Sequence, residues 1–172
     1  MRIDVIIMRT MLALRYAGLL ALTLWVGGLV VLGAVAAPSI FDVLAARHVV
    51  DDRILAGAIF GETLRRFHLL SYGCGAVVLL SLLIRGILGP RPIWFAARLG
   101  TAFLMLAAAA YSGLVVSRQI ARVQSEIGGA ASSLPPTDIR RITFGRLHAM
   151  STGLELVPVL GGLLLLFREL KD

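Results

Sequence analysis

The chain has 172 residues, of which 58% are hydrophobic and 16% are charged, and its formal net charge is +7. This length allows one domain, and this hydrophobicity excludes an ordinary soluble protein. Almost all of the positive charge is arginine, and aromatic residues do not interleave with it as they do in nucleic-acid-binding stripes. Anionic lipid headgroups explain the charge better, so we expect the lipid bilayer as a partner and no nucleic acid.

Four apolar runs have about the 20 residues that a helix needs to cross the hydrocarbon core. They lie at roughly 16–37, 67–88, 94–116 and 147–167. We therefore predict an all-α fold, a polytopic membrane protein whose single domain, 1–172, is a four-transmembrane-helix bundle. The first run resembles a signal peptide in its basic flank, but it is too long for one. We expect it to be an uncleaved first helix.

The predicted connections alternate in length. Two long loops, at roughly 38–66 and 117–146, lie on either side of a tight turn, Gly89-Pro90-Arg91-Pro92, because two prolines cannot continue a helix. Thr137 is a candidate cap for the fourth span. Arginines crowd the short turn and the N-terminus, and cytoplasmic connections are enriched in such residues. We expect an inner (plasma) membrane protein with both termini in the cytoplasm.

An internal duplication is the most informative feature of the chain. The segment Arg66-Phe67-His68-Leu69-Leu70-Ser71-Tyr72-Gly73 recurs as Arg146-Leu147-His148-Ala149-Met150-Ser151-Thr152-Gly153. A weaker echo relates residues 28–31 to 113–116. The chain thus reads as two duplicated hairpins, at about 10–88 and 92–170, related by an axis near the membrane normal.

The duplication places two histidines, His68 and His148, at matching positions, where both should point into the bundle at one depth. Two facing imidazoles are the axial ligands of haem b, which also needs cations for its propionates and small residues beside the ring. Arg66 and Arg146 fit the first need; Gly73 and Gly153 fit the second. A two-histidine metal site is the related possibility. Copper is less favoured, because Cys74 and Met150 lie on other helix faces. Otherwise the histidines hydrogen-bond neighbouring helices.

Glu155 lies seven residues after His148, on the same helix face and about 10 Å deeper. An ionisable side chain at that depth is costly, which favours a functional role. With Ser151 it would form a proton or polar path towards the middle of the membrane. The structural alternative is a protonated carboxyl bonded to Tyr111 or Ser112 on the third span.

Several short motifs resemble those of a small four-helix membrane family typified by transmembrane protein 205. They are Trp25-x-Gly27-Gly28, then Pro38 and Phe41, and Phe144-x-x-Leu147-His148-x-x-Ser151. The first is also similar, more distantly, to the membrane domains of copper resistance protein D. The resemblance covers nearly the whole chain and implies a four-helix fold and metal-related associations, not a reaction. Asn is common in that family where this chain has Glu155.

Three functional hypotheses remain. The protein binds haem b or a metal ion between its two histidines, in electron transfer. Alternatively it is a non-catalytic accessory subunit, with other membrane subunits or a second copy of itself as partners, or a small transporter or metal-efflux factor using Glu155. No nucleophile triad, phosphate-binding loop or carboxylate pair occurs, so nothing in the sequence supports an enzyme.

Overall fold

A computed structural model describes residues 2–89 and 91–171, and six α-helices make up most of these ranges. The helices are α1 (Arg2–Val31), α2 (Ala37–Ala46), α3 (Asp52–Leu88), α4 (Phe95–Tyr111), α5 (Ser117–Ile127) and α6 (Ile139–Glu169). No β-strand occurs in the described part of the chain. The all-α prediction is confirmed.

Four continuous helical segments are long and apolar enough to cross a membrane. They are Met8–Ala46, Asp52–Leu88, Phe95–Ile127 and Ile139–Glu169, and we call them the first to fourth spans. The four predicted runs fall within them, except that the third begins one residue later than predicted. The protein is therefore a multi-pass integral membrane protein.

The spans form a closed ring of four. The main contacts join α1 to α3, α3 to α4, α4 to α6 and α6 back to α1. Consecutive spans are thus neighbours, while the second and fourth spans face each other diagonally. Trp25 and Met105 fill the interior and are fully buried. The fourth span approaches closely because Gly161 leaves room for Met105 and Gly162 leaves room for Val26.

The outer surface of the ring is apolar, as lipid requires. Large aliphatic side chains are exposed along every span, for example Leu24, Leu80, Leu104 and Leu163. A soluble protein rarely exposes a contiguous apolar surface of this kind. Helices are suited to this environment, because each one satisfies its own backbone hydrogen bonds.

Two π-helical turns interrupt the odd-numbered spans. One covers Leu32–Ala36 and joins α1 to α2, and the other covers Ser112–Val116 and joins α4 to α5. Each widens the helix by one residue, so that the N–H of Ser117 reaches the Ser112 carbonyl five residues back. The turns are 80 residues apart, the spacing that also separates the two histidines. The duplication stays a prediction. The weaker similarity predicted between residues 28–31 and 113–116 has a different spacing from that of the two π-helical turns.

The two long loops predicted beside the short turn are wrong in extent. Helix α2 continues to Ala46 and α3 begins at Asp52, so only residues 47–51 connect them. The twenty-residue rule measures hydrocarbon thickness and not where a helix ends. Glu62 also supports the extension, because it binds Arg65 at 2.7 Å and Arg66 at 2.7 Å, one turn along the helix. The predicted tight turn includes Pro90, which lies outside the described residues.

The fourth span is capped by Asp138, one residue after the predicted Thr137. The Asp138 side chain accepts a hydrogen bond from the Arg140 backbone N–H at 2.9 Å, and its other oxygen lies 2.8 Å from Arg140 Nη2. These bonds hold the pKa of the Asp138 carboxyl below its usual range. Both residues are suitable caps by type, and the hydrogen bond decides between them.

We expect Asp138→Ala to loosen the first turn of α6 by about 1 kcal/mol, because the amide of Arg140 loses its acceptor. Asp138→Asn should retain most of the protection, since an amide oxygen also accepts this bond. Thr137→Ala is the matched control and should change nothing. Hydrogen exchange at the amides of residues 140 and 141 measures the difference; equal effects of the two alanine variants would contradict this assignment.

Candidate functional site

A hydrogen bond crosses the bundle diagonally, from the second span to the fourth. His68 Nε2 lies 2.8 Å from Glu155 Oε1. The histidine is buried, with 3% of its surface exposed, and the side chain of Glu155 is 17% exposed. These two spans are not neighbours in the ring, so the contact runs through the interior. It joins two ionisable groups within membrane-spanning helices.

Small residues on the third span open the space that this contact needs. A side chain at Gly113 would meet the Tyr72 hydroxyl, and its Cβ would lie 2.9 Å from Cγ of His68. Gly113 belongs to the π-helical turn Ser112–Val116, and π turns are frequent at functional sites. Beside it, the Ser112 and Ser151 hydroxyl oxygens are 3.4 Å apart. The imidazole ring also stacks on Tyr72, with ring centroids 6.1 Å apart.

Two buried polar atoms beside the pair have no hydrogen-bond partner among the described residues. They are Glu155 Oε2 and Ser71 Oγ. Ser71 follows His68 by about one helical turn. Buried polar groups normally find partners or ordered water. The interior next to the pair can therefore accept further hydrogen bonds.

Pro158 adds another acceptor to this region. It is buried inside α6, and it has no N–H to give to the carbonyl of Leu154, four residues back. That carbonyl immediately precedes Glu155. Prolines within transmembrane helices free carbonyl groups that neighbouring side chains, waters or ligands then satisfy. Sequence reasoning missed Pro158 and Gly113, although a proline four residues after Leu154 in an apolar run was a readable signal.

Two net-neutral arrangements of protons fit the contact between His68 and Glu155. A neutral imidazole beside a protonated carboxyl and an imidazolium beside a carboxylate contain the same number of protons, and both suit a distance of 2.8 Å. Both have zero net charge, which burial favours. Losing or gaining a proton would leave a net charge in the interior. Proton exchange at this pair therefore requires solvent access or a compensating movement.

The structure does not bring the two duplicated histidines together. His148 is exposed, and its ring stacks on Phe144 with centroids 6.2 Å apart. It lies seven residues before Glu155, about 10 Å from the level at which His68 binds that residue. The expectation that both imidazoles point inward at one depth is wrong for His148. Helical spacing gives the direction of a side chain, but another helix must stand opposite to bury it.

The residues predicted to surround a haem also point elsewhere. Arg66 is exposed and bonds to Glu62, and Arg146 is exposed. Gly73 and Gly153 face open space, so they admit no group between helices. Within residues 2–89 and 91–171, no group of three or more His, Cys, Asp and Glu side chains could hold a metal ion. Cys74 is a buried free thiol.

Glu155 and Ser151 are where the sequence places them, inside the bundle, but the partner of Glu155 differs. The expected partner was Tyr111 or Ser112 on the third span. Tyr111 is exposed, and Ser112 bonds to Ser151 instead. The hydrogen bond between Glu155 and His68 can form beside the third span because Gly113 has no side chain there. The sequence alone did not predict a contact between the second and fourth spans, which lie diagonally opposite each other.

A second polar cluster lies at the opposite end of the bundle, around Glu169. Arg85, near the end of the second span, turns inward and donates to Glu169 Oε1 at 2.9 Å. Arg15 and Arg98 contact the same carboxylate at 3.0 and 3.1 Å. Each of the four spans thus contributes one charged side chain. Sequence reasoning missed Glu169, the only carboxylate near the end of the fourth span in the described chain.

Comparison with known proteins identifies a family for most of the chain. A family model described as a domain of unknown function, DUF4149, matches residues 20–128. The chain belongs to this family. The DUF4149 match contains His68 and Gly113 and ends before α6, so Glu155 lies outside it. No curated protein and no solved structure matches the chain.

We expect Gly113→Ala to displace the His68 ring and lower stability by about 1–3 kcal/mol, because the added methyl group overlaps Tyr72 and His68. Gly100→Ala, in the same span with open space around it, should be neutral or slightly stabilising. Unfolding of the purified protein in mixed detergent measures stability, and NMR of the imidazole reports the ring. Equal behaviour of both variants would show that Gly113 does not determine the position of His68.

Proposed function

We propose that the protein is a small proton-coupled membrane transporter in which the His68–Glu155 pair binds and releases a proton. The observation that carries this proposal is the 2.8 Å contact between two ionisable side chains inside the transmembrane ring. Ionisable residues at such depth are rare, because hydrocarbon does not solvate charge, and they generally mark proton or ion pathways. A purely structural link would be made more cheaply by two hydroxyls or amides.

The unsatisfied atoms beside the pair support a site that exchanges partners. Glu155 Oε2 and Ser71 Oγ are buried without hydrogen bonds among the described residues, and Pro158 frees the Leu154 carbonyl. Water molecules at these atoms would form a relay to and from the carboxyl. The surroundings thus contain more hydrogen-bond acceptors than the neighbouring side chains use. A hydrogen bond with a purely structural role would not need these additional acceptors.

A row of polar side chains on α6 offers the access route. His148, Ser151 and Glu155 lie within about one third of a turn of each other around the helix. His148 is exposed at one end of this row, and Ser151 is buried next to Glu155. A proton would enter at the exposed imidazole of His148 and pass along the row, because an imidazole ring can both accept and donate a proton. His148 then has a role in access and not in shared ligation with His68.

The narrower sequence hypotheses are less well supported by this geometry. An iron or copper ion at His68 Nε2 would first have to displace Glu155, and His148 would have to turn inward as a second ligand. The short motifs that resemble those of the transmembrane protein 205 family and of copper resistance protein D favour a metal ion as the substrate of the same transporter. In this proposal the protein lies in the inner membrane with both termini in the cytoplasm, and its partners are other membrane subunits or a second copy of the chain.

The test is infrared difference spectroscopy of the purified full chain in lipid, titrated with pH. We expect one carboxyl carbonyl band to titrate, to disappear in Glu155→Gln, and to shift in His68→Gln because its hydrogen-bond partner changes. Glu126→Gln removes an exposed carboxyl from α5 and is the matched control. If Glu155→Gln and Glu126→Gln lose the same carboxyl bands, proton binding at the pair is refuted. A Soret band that depends on His68 would favour haem instead.

The pair should also contribute to stability. Glu155→Leu leaves His68 Nε2 buried without its partner, so we expect a loss of about 1–2 kcal/mol in unfolding free energy. Glu155→Gln retains a side chain of the same size that can still bond to the imidazole, so it should fold nearly normally. Unfolding in mixed detergent measures both. If the leucine variant matches the parent in stability and in its infrared titration, the pair has neither role.

A further inference from the structure

The cluster around Glu169 places several cations on one carboxylate. Arg85 Nη1 lies 2.9 Å from Oε1, and Arg98 Nη1 lies 3.1 Å from the same oxygen. Arg15 Nε lies 3.0 Å from Oε2, although it is not aligned for a hydrogen bond. The arginines come from the first, second and third spans, and Glu169 comes from the fourth. The cluster therefore ties the whole ring together at one end.

Among the described residues, Glu169 supplies the carboxylate that contacts both Arg15 and Arg85. Arg98 contacts Glu169 as well and makes a further interaction. Counted over these described contacts, Arg15 and Arg85 together carry one more positive charge than Glu169 balances. The side chains of Arg85 and Glu169 are 13% and 10% exposed, whereas that of Arg15 is more open. The excess positive charge is therefore only partly solvated, and an anion reaching Arg15 would balance it.

A small cavity lies at this cluster. Its volume is about 20 Å³, and most of its lining is aliphatic. The charged side chains in the lining are Arg15, Arg85, Arg98 and Glu169, and Ser81 adds a hydroxyl. This volume is enough for one water-sized atom, because such a cavity needs roughly 10–15 Å³. It is too small for a whole phosphate group. One oxygen of a larger anion fits, with the rest of that anion outside beside Arg15, whose side chain is 34% exposed.

The cluster lies near the depth of lipid headgroups. Trp94, one turn before Arg98, is exposed, and the Arg168 guanidinium lies over its ring at 5.4 Å from the centroid. Tryptophan and arginine are typical of the membrane–water interface. Phosphate groups of lipids lie in this same layer. An anion would therefore reach the mouth of the cavity without crossing hydrocarbon.

We propose that Arg15 and Arg85 bind an anionic phosphate oxygen at this cavity, either of a lipid headgroup or of free phosphate. Paired guanidinium groups recognise phosphate oxygens through charge-assisted hydrogen bonds. The site is separate from the His68–Glu155 pair and does not depend on proton transport. Capping explains part of the cluster, since Arg15 Nη2 donates to the Glu169 carbonyl at 2.6 Å and Arg98 Nη2 to the Arg168 carbonyl at 3.0 Å. It does not supply the missing negative charge.

The experiment measures lipid binding to the full chain in detergent by native mass spectrometry. Phosphatidylglycerol and phosphatidylcholine are compared, and thermal unfolding is followed in inorganic phosphate. We expect Arg15→Gln to weaken phosphatidylglycerol binding about tenfold, because one charge-assisted bond is lost. Arg85→Lys keeps the charge and should give an intermediate affinity. Arg91→Gln, which removes an exposed arginine outside the cavity lining, should leave binding unchanged.

Two arms identify the source of the phosphate. Stabilisation by inorganic phosphate that is lost in Arg15→Gln indicates a free anion, whereas preference for phosphatidylglycerol without that stabilisation indicates a headgroup. The proposal is overturned if neither anion is preferred, or if Arg15→Gln and Arg91→Gln weaken binding equally. If Arg15→Gln does not fold, Arg85→Lys tests the proposal in its place, because its affinity for phosphatidylglycerol should be intermediate.

Discussion

Hydrocarbon offers no hydrogen bonds, and this constraint governs the whole structure. Every span is helical because its backbone must satisfy itself. The ionisable side chains of the two polar sites likewise find their partners on other spans. His68 therefore reaches across to Glu155, and Arg85 turns inward to Glu169 rather than outward to water. The glycines at helix contacts serve the same constraint, because they bring the partners within bonding distance.

The two polar sites divide the molecule into halves with different properties. At one end, charged side chains from all four spans meet at Glu169 and hold the helix ends together. Towards the other end, the single His68–Glu155 pair crosses the ring, and buried oxygens beside it have no partner among the described residues. A change of protonation at Glu155 would therefore alter packing chiefly in the second half. The cluster would provide the fixed end against which such a movement occurs.

The duplicated motif shows what a repeat does and does not preserve. Ser71 and Ser151 occupy equivalent positions and are both buried. His68 and His148 are equally equivalent in sequence, yet one is buried and the other is exposed. The position equivalent to Glu155 is Gly75, which lies against Trp25. The two halves thus have the same helices but different interiors, and the polar site draws one residue from each half in place of a matched pair.

The sequence by itself determined the all-α fold, the four spans and the inward direction of Glu155, because these follow from hydrophobic length and from the cost of charge in lipid. It also indicated that Glu155 needs a partner on another span. Only the tertiary structure decided that this partner is His68, that His148 has no helix opposite it, and that Glu169 gathers three arginines. Those outcomes depend on which helices are neighbours and how closely they approach. Periodicity along one helix gives the direction of a side chain, but contact also depends on the position of the other helices.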